Sequence, residues 1–298
     1  MFSALHWDFL HRAGLVAAFP AVLGVAAGVG RDDEQLRREL LDSGVIVESA
    51  GGIALEASRG PVLEAFTAPT VKLFGTTLLY RDAVRRSVDP EVPEQWRELA
   101  AATALMVPQS KFLVAVTDEV AASAVQLGGS VDLNGVDCRH ADPVVQGARL
   151  LWEALAPGAP HETLPEVTVP LQAVAATAKA RVDVSDPELA QQASASAAAS
   201  FAAAGVGADR ARVLVDLLGQ APLAAAQVCV SVWDDHRTAV STDAAIGLMQ
   251  FELGAVLSVP SWRLDGSCHV TYMPATAARW EKEIVEFVAR YRDRAKIA

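Results

Sequence analysis

The chain has only three cysteines, Cys138, Cys229 and Cys268, far apart and without a CxxC pair. That spacing excludes a disulfide framework and fits a reducing compartment. Cations are also scarce: 25 Lys and Arg stand against 36 Asp and Glu, a net charge of −11. Nucleic acid and anionic membrane surfaces are therefore excluded as main partners, because phosphates need neutralising cations. No long uninterrupted apolar run is present. The run at 13–30 is broken by Pro20 and diluted by Gly14, Gly24, Gly28 and Gly30, so membrane insertion is not expected. The same run follows His11-Arg12 and offers Val25-Ala26-Ala27 within it as a cleavage site, which are marks of a signal peptide. Asp8 in the would-be basic region and Pro20 favour a buried segment bent at Phe19-Pro20 instead.

Motifs of chemistry are equally thin. Gly28-Val29-Gly30 lacks the third glycine of a phosphate cradle, and Asp32-Asp33-Glu34 would repel a phosphate there. His161-Glu162-Thr163-Leu164-Pro165 starts like a zinc HExxH and fails at its last residue. Cys138-Arg139-His140 offers two metal ligands without a third. Gly129-Ser130-Val131-Asp132 lacks the closing glycine of a nucleophile elbow. Asp234-Asp235-His236 reads as a polar turn. No cofactor, metal or catalytic group is expected.

What is present is amphipathic pattern. Val228, Val230 and Val232 alternate with Cys229, Ser231 and Trp233, the period of a strand. Further strands are expected over 245–252, 255–259 and 268–273, then a helix capped by Thr276. Its Trp280, Ile284, Phe287, Val288 and Tyr291 make one apolar stripe, which must lie on the strands before it. In the first half, helices are expected after Asp32, with Leu36, Leu40, Leu41 and Gly44, and over Leu55–Phe66. Strands are expected over 71–80, 111–116 and 120–127, with a turn at Pro108-Gln109-Ser110. The stretch 95–106 fits either helix or strand. A helix follows over Asp142–Leu155, with Val145, Leu150, Leu151 and Trp152 as core positions.

Residues 157–170 hold four prolines and read as a linker between halves of about 1–156 and 171–298. Beyond it come a short helix near 171–179, an Ala/Ser-rich helix from Pro187 to Gly205, and one capped by Asp209 with Val213, Leu214, Leu217 and Leu218 inward. Each half then runs helices, strands, helix. The class is α+β, with helices packed on an antiparallel sheet.

Several short stretches resemble the EspG family, the cytosolic substrate-specific chaperones of actinobacterial type VII (ESX) secretion. They are Trp7-x-x-Leu10 with Phe19-Pro20-x-x-Leu23, Gly30-Arg31-x-x-Glu34 leading to Leu41-x-x-Gly44, and Val167-x-Val169-Pro170-Leu171. The last is Leu264-Asp265-Gly266 through Val270-Thr271-x-x-Pro274-Ala275-Thr276, similar to the family's DG-x-W-x-T-x-x-P-G-T ending. His269 and Ala275 stand near the family's usual Trp and Gly, and Gly254 is not followed by arginine. The resemblance implies a single domain of two pseudo-two-fold halves, a central antiparallel sheet flanked by two helical bundles. It implies a cytoplasmic, non-catalytic protein that binds the apolar tip of a PE–PPE-type helical heterodimer, keeps it soluble and directs it to secretion. Partner-contact residues expected on that basis are Phe112, the turn Thr117-Asp118-Glu119, and the helix surface at Arg212 and Asp216. Whether the free protein is a homodimer stays open. The alternatives are an oligomerising α+β module, or an enzyme assembled from dispersed groups such as Asp234, Asp235, His236 and His140.

Overall fold

The computed structural model describes residues 2–23, 32–49, 52–80, 106–175, 187–220, 222–233, 239–241 and 244–295. The Asp234-Asp235-His236 turn, Gly28-Val29-Gly30 and most of the 95–106 stretch lie outside them. The first half opens with helices α1 (Ala4–Arg12) and α2 (Asp33–Asp42). Ser3 and Asp32 cap them, each accepting a backbone N–H of the first turn. Gly44 has φ of +64°, the left-handed conformation that ends a helix at low steric cost.

The helix expected over 55–66 is shorter. A hairpin of β1 (Ile46–Ser49) and β2 (Gly52–Leu55) precedes it, and α3 covers only Gly60–Ala65. Pro61 explains the start, since a proline fits only the first turn of a helix. Four strands follow: β3 (Val71–Tyr80), β4 (Met106–Val116), β5 (Val120–Leu127) and β6 (Ser130–Asp137), then α4 (Pro143–Leu155). The turn expected at 108–110 is instead strand. Pro108 pairs with Leu78 beside a register shift at Thr77/Leu78. There the Ser110 N–H donates to Thr77 Oγ1 at 3.1 Å, so the irregularity accommodates a residue that cannot donate. In α4, Asp142 is the N-cap rather than the first helical residue, and Val144 rather than Val145 is buried.

Residues 157–170 lie against the sheet. Val167–Pro170 form β7, an edge strand, and the His161 N–H donates to the Ala255 carbonyl at 3.0 Å. Next come α5 (Pro187–Ala203) and α6 (Ala208–Leu218). Gly207, not Asp209, is the N-cap of α6, and Asp209 sits in the first turn, where its charge suits the helix dipole. The second half closes with β8 (Ala224–Trp233), β9 (Ala239–Ser241), β10 (Ile246–Phe251), β11 (Gly254–Trp262), β12 (Cys268–Pro274) and α7 (Ala277–Ala295).

One antiparallel sheet joins both halves, in the order β6-β5-β4-β3-β8-β10-β11-β12-β7, with β9 also on β8. The seam is β3 against β8, from Val71↔Val232 to Leu79↔Ala224. From it β3-β4-β5-β6 run outward on one side and β8-β10-β11-β12 on the other, the pseudo-two-fold arrangement, with β7 added at the second edge. On one face, α4 and α7 pack together over the seam. Their core holds Val71, Leu73, Phe112, Val228, Val230, Trp280, Ile284 and Phe287. On the other face the helices divide into two bundles. α1–α3 cover the first wing, with Trp7, Leu40, Leu63, Leu113 and Ala115. α5 and α6 cover the second, with Phe201, Leu214, Leu217, Val256 and Tyr272.

Candidate partner-binding face

The alternation in β8 decides what the sheet shows between the two bundles. Val228, Val230 and Val232 point into the α4–α7 core, so Gln227, Cys229, Ser231 and Trp233 face the other way. The register sets Lys72 beside Ser231, Phe74 beside Cys229 and Thr76 beside Gln227. Lys111 extends the Thr76 row on β4, and Met249 of β10 continues this face beyond Ala225. Phe74 leans on the α1–α3 cluster and Met249 on the α5–α6 cluster. Between them, among the described residues, the seam forms the floor of a trough. Gln227 is exposed in mid-strand, while Lys72, Phe74, Cys229, Trp233 and Met249 are partly exposed.

The electrostatics of the floor centre on Lys72. Its Nζ lies 4.8 Å from the centroid of the Trp233 ring, a cation–π contact. Partial burial pushes its pKa down, because leaving water disfavours the charged form. Beside it, Ser231 and Ser241 share a hydroxyl hydrogen bond of 2.7 Å. The floor thus combines aromatic and aliphatic surface with a few polar groups, a composition suited to a protein partner.

The residues expected to touch a partner do not form one cluster. Phe112 is 1% exposed, in the core under α4 and α7, where it fills the space left by Gly75. Thr117, Asp118 and Glu119 form the β4–β5 turn; Thr117 is tied to Val120, and the two acids are exposed. Arg212 and Asp216 lie exposed on α6, in the other half. The floor residues went unremarked in the sequence, although the mixed face of β8 was visible in its alternation. A separate hollow of about 960 Å³ runs along β6, between Val62 and Leu150.

His161 is buried, and its Nδ1 accepts the Leu164 N–H at 3.2 Å. Cys138 is buried, and Arg139 pairs with Asp137. No group of three metal-ligating side chains occurs among the described residues. Nor is any described helix long and apolar enough to cross a membrane.

The EspG family model matches residues 81–286, well over half of the chain. The chain belongs to the EspG family. A solved structure, the Mycobacterium tuberculosis type VII secretion system chaperone EspG5 in complex with a PE25–PPE41 dimer, is similar at 15% identity and a TM-score of 0.61. The likeness covers 95% of this chain and 93% of that one, so the EspG fold extends through the helices that precede the family match. No curated protein matches the chain.

Proposed function

We propose that this EspG-family chain is a cytosolic chaperone of type VII secretion. It binds the apolar tip of a PE–PPE-type helical heterodimer, keeps it soluble and directs it to its own secretion system, without turnover and without a cofactor. The whole chain acts as one domain, its halves of about 1–156 and 171–298 joined by 157–170. The family match over 81–286 carries the reading. The trough adds a place for the client: a helical tip laid across the seam buries Phe74, Trp233 and Met249 between the two bundles. Exposed edges such as Asp118, Glu119, Arg212 and Asp216 then lie at the rim, where contacts tune specificity more than affinity.

The test is co-expression with PE–PPE pairs from the genome that encodes the chain, followed by size-exclusion chromatography with mass detection. A 1:1:1 complex, lost when charged residues are placed in the client's tip, is the expected result. If every pair elutes apart and the chain forms only homo-oligomers, the reading fails.

A further inference from the structure

This inference rests on the trough being the client's seat, and concerns what the client must bring to it. Lys72 and Lys111 stand on the same face of adjacent strands, on a chain whose net charge is −11. Neither has an ion-pair partner among the described residues. Lys72 is already half-buried beside Trp233, and its stabilisation there comes from the ring face. A partner that covers the floor removes more water from both ammonium groups. Burying an unpaired charge is costly, whereas a carboxylate at hydrogen-bonding distance offsets the loss. An apolar tip alone would therefore be rejected by its own seat. We propose that the client segment seated on β3–β8 carries acidic side chains that pair with Lys72 and Lys111, and that this pairing selects the client.

The pairing also makes association salt-dependent, because Lys72 and Lys111 attract a client carboxylate once it is within about a Debye length, against the repulsion that an acidic client meets from a chain of net charge −11. Apolar clients of matching shape but without the carboxylates would dock poorly. Lys72 and Lys111 thus act as specificity residues and have no catalytic part.

The experiment uses the full chain and the PE–PPE pair that forms a ternary complex with it. Affinity is measured by calorimetry over a range of salt concentrations for the wild type and the double variant Lys72→Met, Lys111→Met. Methionine keeps the length of the stem and removes the charge. Matching thermal melts check that the variant is folded. The expected result is a loss of roughly tenfold or more and a flatter salt dependence. Lys72→Glu should bind worse still, and an Asp or Glu→Lys change in the client should restore its binding. A wild type that binds while the double variant binds within about twofold, with the same salt slope, overturns the pairing and leaves the chaperone reading intact. If the wild type binds no pair, both fall.

Discussion

The Trp280 indole N–H donates to the Ala148 carbonyl at 2.7 Å, joining the last helix of one half to the last helix of the other. Trp280 is fully buried, and its ring lies 5.9 Å from that of Trp152. The Arg149 guanidinium meets Glu281 on the solvent side of the same contact. The two helices thus clamp the seam from behind, while among the described residues the other bundles flank its front face. Trp280→Ala should cost about 3–5 kcal/mol, from lost burial and the cavity left behind. Trp280→Phe should cost about 1–3 kcal/mol, because the indole N–H bond to the Ala148 carbonyl and part of the ring's packing are lost. Urea denaturation checks both.

Gly75 sits where a side chain has no room. A Cβ there would lie 1.8 Å from the Gln227 carbonyl oxygen and 2.8 Å from the Phe112 ring. Gly75→Ala should destabilise by about 1–3 kcal/mol or more, as overpacking does. Phe112→Leu on top should not rescue it, because the nearer obstacle is backbone. Thermal melts of the single and double variants check the order.

Helix α7 starts on one side-chain hydrogen bond. Thr276 Oγ1 accepts the Arg279 N–H at 3.2 Å. Thr276→Ala should cost about 1 kcal/mol, and Thr276→Asp should keep the cap. Equilibrium unfolding of the two variants separates the cap from a general effect of substitution.

The pH dependence should have two components of opposite sign. Burial pushes His161 below its ordinary pKa, so in mild acid the unfolded chain takes up the proton first. Stability is then lost as pH falls below the usual histidine range, and His161→Gln should remove that slope. Burial, followed by the charge of Glu286, raises Glu283. The folded chain takes that proton first, so its penalty is present at neutral pH and relieved as pH falls towards the carboxylate range. Glu283→Gln should stabilise the protein at pH 7. Denaturant midpoints across pH for wild type and both variants read the two slopes.

Much of the second half is legible in the sequence because its signals are strong and local. The valines of β8 alternate cleanly, and the stripe from Trp280 to Tyr291 is buried almost as a unit. The first half hides more. β6 is an edge strand whose alternation is short, with Val131 and Leu133 inward and Asp132 and Asn134 exposed before Gly135 takes the next inward position and breaks the pattern. β1 and β2 are four residues each, too short to show a period. Whether a mixed face is open depends on where the helices land. Nothing local to Gln227 or Trp233 reveals that the two bundles part above them, and Phe112 looks like a contact residue until Gly75 is placed beneath it.

The central claim is that a PE–PPE-type client sits on the seam between the bundles. The most direct measurement is the mass of the co-expressed complex for wild type, Gln227→Trp and Leu264→Trp. Gln227 is exposed on the floor, whereas Leu264 is fully exposed at the β11–β12 turn. The account predicts a ternary peak for wild type and Leu264→Trp, and its loss for Gln227→Trp with folding unchanged. A Gln227→Trp variant that still co-elutes with the client as the wild type does would contradict it.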